Sequence, residues 1–265
     1  MLPIDNRLIN NSIRSVAPKV HHLTQMDPHI ESLRITPIKR RDYFAEVILP
    51  KFEGLDMETS AYTENGKRSV QFMKNILPFM VIAEYDPINH KMFIIPDNLG
   101  WGTNETGLTT ILGHELVHRC QFLDNPHFLD TYKFLVKKVF GSNAFDIDAD
   151  EDKSYSDFIQ PFMTLVEGDA TFVQEQLKNE FYQGAKYNTS GLVNILGVAI
   201  GLSSLVTNKR GLMKKVMQYQ KGKEIISCIY NESGRGAINR LYQLDYKQID
   251  DIFRLNPFMY KTHIK

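Results

Sequence analysis

A chain of 265 residues is long enough to bury a substantial core, as one large domain or two small ones. Its 43% hydrophobic and 23% charged residues are ordinary for a soluble globular protein. The formal net charge of +0 gives no pull toward nucleic acid or anionic membranes, and the short basic runs Lys39-Arg40-Arg41, Lys209-Arg210 and Lys214-Lys215 read as solvated surface.

Residues 1–33 carry Pro3, Pro18, Pro28 and the pair His21-His22, and read as an irregular N-terminal arm. Met1 to Val20 holds no apolar run of signal-peptide length, so a cytoplasmic protein is expected, with leaderless secretion left open. Pro37 to Leu49 reads as a short helix with Tyr43, Phe44, Val47 and Ile48 on one side. Gly54 to Gly66 is polar and loop-like, and Val70 to Leu77 is helical in pattern. Phe79–Tyr85 and Lys91–Pro96 are β-rich runs joined by Asp86-Pro87-Ile88-Asn89-His90, which has hairpin chemistry. An edge strand there would also offer itself to an extended peptide.

The next helix runs through Leu108 to Phe122, with Thr103 or Asn104 as its N-cap and Asn125-Pro126 as its stop. Leu112, Leu116, Cys120 and Leu123 share one face; Ile111, His114, His118 and Gln121 share the other. His114-Glu115-Leu116-Val117-His118 puts two imidazoles about 40° apart on adjacent turns, where both point at one metal ion. Glu115, about 100° from His114, stays off the metal but beside a water bound to it. Two nitrogen ligands and a base at this spacing point to a zinc hydrolase. Cys120 lies about 200° round from His118 and points away, and with Cys228 as its only fellow it makes no disulfide framework.

Beyond Pro126 the pattern is helical. Tyr132 to Phe140 is one helix, and Asp146 to Asp152 is an acidic loop. That loop departs from a calcium site, with Glu151 where the glycine belongs and Asp157 where the bidentate Glu belongs. Gly191 to Val206 is apolar but short of a spanning length and holds Asn194, so it reads as a buried core helix. Gly234-Arg235-Gly236 lacks the context of a dinucleotide fingerprint.

A catalytic zinc takes a third protein ligand and keeps one open position. The best candidate is Glu167 in Leu165-Val166-Glu167-Gly168-Asp169-Ala170, where Gly168 and Ala170 would let this helix approach the metal helix. Read alone, Glu167 is a surface carboxylate at a helix start, favoured there by the helix dipole.

The pairing of His-Glu-Leu-Val-His-Arg-Cys-Gln with Val-Glu-Gly-Asp-Ala resembles the gluzincin zinc metallopeptidases. It is most similar to microbial metallopeptidase-like proteins that couple a His-Glu-Leu-Thr-His helix to a Glu-Gly-Asp-Ala helix. The resemblance covers roughly residues 34–260 and implies Glu167 as the third ligand. Gln218-Tyr219-Gln220-Lys221-Gly222 is similar to an element of aminopeptidase N-like catalytic domains, which implies Tyr219 as the oxyanion donor. The strand Glu84-Tyr85-Asp86-Pro87 and the stretches 236–242 and 256–260 resemble the same microbial proteins. There are departures: Val117 stands where Thr is usual, and Gln243 to Tyr246 replaces a Pro-Pro-Ser run. No Gly-Ala-Met-Glu-Asn element appears, which favours an endopeptidase. Thr171 stands where a buttressing Asp is usual, so Asp169 or water would support the ligands instead.

The expectation is thus an α+β, zincin-like fold in three stretches: an arm (1–33), a part with the sheet and metal helix (34–125), and a helical part (126–265). Its predicted site is His114, His118 and Glu167 on zinc, with Glu115 as base and Tyr219 on the oxyanion, acting on a peptide or protein substrate. Neither nucleic acid nor membrane is expected as a partner. Two alternatives stay open: a non-catalytic zinc-stabilised interaction protein, and a zinc hydrolase acting on a non-peptide substrate.

Overall fold

The computed structural model describes residues 4–56, 74–75, 77–100, 102–141, 155–186, 211–255 and 257–264, without the side chains of 138–141, 155–158, 211–219, 255 and 257. The acidic loop at 146–152, the apolar stretch 191–206 and most of the helix expected at 70–77 lie outside these residues.

The first helix, α1 (Asn6–Thr24), occupies what reads in sequence as an irregular arm. Asp5 caps it by accepting from the Leu8 amide at 2.7 Å. Ile9, Ile13, Val16, Ala17 and Val20 follow helical periodicity and are buried. Pro18 costs a helix about 3 kcal/mol. Several buried Ile and Val side chains, at about 1.5–3 kcal/mol each, outweigh it. The proline count misled because the apolar spacing runs straight through it.

Three short strands follow in the order β1-β3-β2. β2 (Ala83–Asp86) and β3 (Lys91–Ile94) form the expected antiparallel hairpin. β1 (Arg34–Pro37), not anticipated, lies parallel to β3 on its other side. The period of two sorts the side chains. Tyr85, Met92 and Ile94 face the main core, while Phe93 and Ile95 face a second cluster with Tyr43, Val47 and Phe52. That second cluster includes α2 (Leu49–Gly54) and the π-helical turn before it. The architecture is therefore α+β, mostly helical, with one small sheet.

The helix α3 (Glu105–Leu123) runs through the middle of the molecule and is buried on nearly every side. Asn104 caps it, its Oδ1 accepting from Gly107 N at 2.8 Å, and it ends before Asn125-Pro126 as expected. α1 packs on one flank, where Val16 meets Gly113. α4 (Pro126–Gly141) returns from its end, and α5 (Tyr155–Gln176) crosses it carrying Glu167.

Among the described residues, α6 (Gly211–Leu241) packs on α5 more extensively than any other two elements pack. The two helices touch backbone to backbone at Gly168 and Gly222, where a Cβ on Gly168 would lie 2.5 Å from the Gly222 carbonyl carbon. Gly168 thus serves the approach of α6, not that of the metal helix. Gly234 breaks α6 at φ 71°, a left-handed conformation that glycine adopts without strain, and a new helical stretch starts at Arg235. Two short helices, α7 (Tyr246–Asp250) and α8 (Tyr260–His263), complete the described chain. No described helix is long and apolar enough to cross a membrane.

Gly168→Ala should lower stability by about 1–3 kcal/mol, because the new methyl overpacks a backbone contact. Gly236→Ala, with open space around the added carbon, should leave the melting temperature unchanged or higher. Thermal unfolding of the two variants checks this.

Candidate metal centre

Helical spacing on α3 sets His114 and His118 one above the other, and the crossing of α5 brings Glu167 against both. The His114 and His118 Nε2 atoms are 3.1 Å apart, and Glu167 Oε2 lies 3.4 Å from the first and 3.5 Å from the second. Among the described residues these three form the one such group able to hold a metal ion. A tetrahedral ion with bonds of about 2.0–2.1 Å separates its ligand atoms by about 3.3–3.4 Å, so the three spacings match one coordination sphere. Glu167 Oε2 is buried and makes no hydrogen bond, which is costly for a carboxylate oxygen unless a cation takes it up.

Electrostatics point the same way. Burial works against a charged His118, yet Glu167 and then Glu115 outweigh it and raise its pKa to about 9. Burial alone would raise Glu167, but the two imidazoles hold its carboxyl well below the usual carboxylate range.

His118 is fixed from behind. Its Nδ1 lies 2.9 Å from Gln121 Oε1, which leaves Nε2 aimed into the centre. The Gln121 amide in turn donates to Val166 O at 3.0 Å and to the Tyr242 hydroxyl at 3.2 Å. Tyr242 donates to Asp169 Oδ2, and Asp169 forms a two-pronged ion pair with Arg235. Arg235 also donates to Thr24 O, at the end of α1. Asp169, one of the two supports expected, therefore acts two groups removed, through Tyr242 and Gln121. Gln121 was readable as lying on the metal face; its partner 121 residues later in the chain was not.

Glu115 turns to the sheet. Its Oε2 accepts from the Tyr85 amide at 2.7 Å. Ile95 N donates to Ile82 O, and alternation along an antiparallel pair then turns the main-chain groups of Ala83 and Tyr85 away from β3. The edge of β2 that no other described strand covers thus lies beside the candidate base. Both border a cavity of about 460 Å³, also lined by His114, His118 and Glu167. Its walls are largely apolar, with Ile48, Phe52, Val81 and Met163 among them. One polar cluster interrupts them: Lys51 and Tyr43 both donate to Glu84, a group that nothing in the motif spacing signalled. Despite burial, Glu84 and Asp86 raise the Lys51 pKa and keep it charged.

Tyr219 falls within α6, three residues before the Gly222 crossing, and its side chain lies outside the described residues. Cys120 is buried and free, and burial pushes its thiol pKa up. His21 and His22 sit in the last turn of α1, away from the centre, with His21 Nδ1 2.9 Å from Met26 O.

No protein-family model matches the chain, and no curated protein matches it in sequence. In three dimensions it is similar to a crystal structure described as "a putative hydrolase with a novel fold" from Chloroflexus aurantiacus. The TM-score is 0.61 at 16% identity, over 99% of this chain and 93% of the other. At that identity the likeness establishes a shared fold.

Gln121→Leu should weaken metal binding about 10–100-fold while the protein stays folded, measured by titration against a chelating dye. Metal must also displace the His118 proton. Apparent affinity should therefore rise about tenfold per pH unit from pH 7 to 8 and level off above about 9, with one proton released per ion in buffers of differing ionisation enthalpy.

Proposed function

We propose that this protein is a zinc-dependent peptidase of zincin-like architecture, cleaving within extended peptides rather than at their ends. The observation that carries the reading is the placement of Glu115: a carboxylate held by the Tyr85 amide, beside a three-donor group that leaves a coordination position open. Two imidazoles and a carboxylate suit zinc better than a hard, all-oxygen-seeking ion. The structural neighbour described as a putative hydrolase supports hydrolysis as the reaction class, by analogy of fold.

A zinc ion held there would supply Lewis acidity, lowering the pKa of a bound water toward about 7 and polarising a carbonyl. Glu115 takes the proton of the attacking water and passes it to the leaving nitrogen. The outward-facing main-chain groups of Ala83 and the Tyr85 carbonyl pair with the substrate main chain, and the apolar walls take its side chains. A purely structural zinc would ordinarily fill all four positions with protein ligands and has no use for an adjacent base or cavity.

Glu115→Gln should bind zinc as wild type does yet cleave at least about 10²-fold more slowly. The measurement is mass spectrometry of a diverse peptide pool incubated with zinc-loaded protein, with Glu115→Gln and chelator controls. Products that persist in the variant would refute the general-base role. Absence of products from wild type with zinc bound would refute the peptidase.

A further inference from the structure

Resting on the peptidase reading, we propose that Tyr132 is a further catalytic residue: its hydroxyl donates a hydrogen bond to the scissile carbonyl oxygen as that oxygen becomes an oxyanion. The resemblance implies this role for Tyr219, whereas the described cavity supplies a candidate from a different helix.

Tyr132 stands on the second turn of α4, and its ring packs 5.1 Å, centroid to centroid, from Phe122 and 6.3 Å from Phe162. Phe122 follows His118 by one turn on α3 and lines the same cavity. The phenol is thus braced by two aromatic rings in the wall that it shares with His114, Glu115, His118 and Glu167.

No hydrogen bond engages its hydroxyl among the described residues. The other side-chain donors described in this wall are otherwise placed or occupied. Tyr43 and Lys51 are both engaged with Glu84, and the Tyr85 hydroxyl sits 2.8 Å from His90 Nδ1. Gln174 lines the wall two turns beyond Glu167, about 10 Å farther along α5. A phenol hydroxyl uncommitted within the protein and set in the wall of this cavity is available to donate to a ligand atom.

The phenol also keeps its proton. Burial is the main cause, Lys51 opposes it, and the carboxylates of Glu84, Asp86 and Glu167 add to it, pushing Tyr132 up to about 12. At neutral pH it is a donor. As the water oxygen bonds to the carbonyl carbon, the π pair moves to the carbonyl oxygen and Glu115 takes the water's proton. Tyr132 stabilises the new charge without giving up its own proton. Collapse breaks the carbon–nitrogen bond, and the proton on Glu115 goes to the amine.

The test uses full-length zinc-loaded protein and one peptide that wild type cleaves, comparing Tyr132→Phe with Tyr219→Phe. Tyr132→Phe keeps the ring and its packing, so its melting temperature and zinc affinity should match wild type. Its kcat should fall about 10²–10³-fold with KM changed less than about twofold. It should also bind a phosphonamidate analogue of that peptide, which carries the tetrahedral oxyanion, correspondingly more weakly. An unchanged kcat in Tyr132→Phe, or a loss confined to Tyr219→Phe, would overturn the assignment while leaving the peptidase intact. A wild type that cleaves no peptide would overturn both.

Discussion

Glu167, His114 and His118 meet within 3.5 Å of one another, largely buried in the wall of the cavity, and that encounter has to be balanced electrostatically. A lone carboxylate there would be strongly penalised with no positive charge beside it. A cation held by the three groups would offset that cost. Much of the rest of the chain serves to hold the three side chains in place: α3 and α5 carry them, and α1 and α6 pack behind.

The two sides of α3 are built for different tasks. Away from the cavity, a continuous hydrogen-bonded path runs from His118 through Gln121 and Tyr242 to the Asp169–Arg235 pair and on to the end of α1. Arg119, the residue after His118, donates to Pro28 O and His29 O and so fixes the connection from α1 to β1. Two arginines therefore tie the N-terminal helix and its exit to the His118 segment. Toward the cavity the walls are largely apolar, the edge of β2 lines one side, and Glu115 rests on that edge through the Tyr85 amide. Rigidity behind and open space in front are what a reacting centre needs.

The metal helix was legible in sequence because its information is local. Two His four apart, a Glu between them and an Asn cap all act within a few turns. The β2–β3 hairpin was legible for the same reason. Glu167 needed more: by itself it reads as a surface carboxylate, and only the crossing of α5 over α3 gives it a task. The features missed in sequence are those set by distant contacts. α1 was hidden behind its prolines although Ile9, Ile13, Val16 and Val20 kept helical time. β1 acquires its strand character from β3, more than fifty residues away. Gly168 looked like a concession to the metal helix and instead answers Gly222 on α6. Gln121 was placed on the right face, but its role depends on Tyr242 and on the Asp169–Arg235 pair, and no local pattern encodes those contacts.

The most direct test of the central claim is the X-ray absorption spectrum, at the zinc edge, of the protein purified with one equivalent of zinc. The account predicts a four-coordinate site with two imidazoles among light nitrogen and oxygen neighbours at about 2.0–2.1 Å, including one exchangeable oxygen. A sulfur neighbour near 2.3 Å would place the ion on Cys120 or Cys228 and contradict it, as would zinc retained only as a hydrated ion without imidazole scattering.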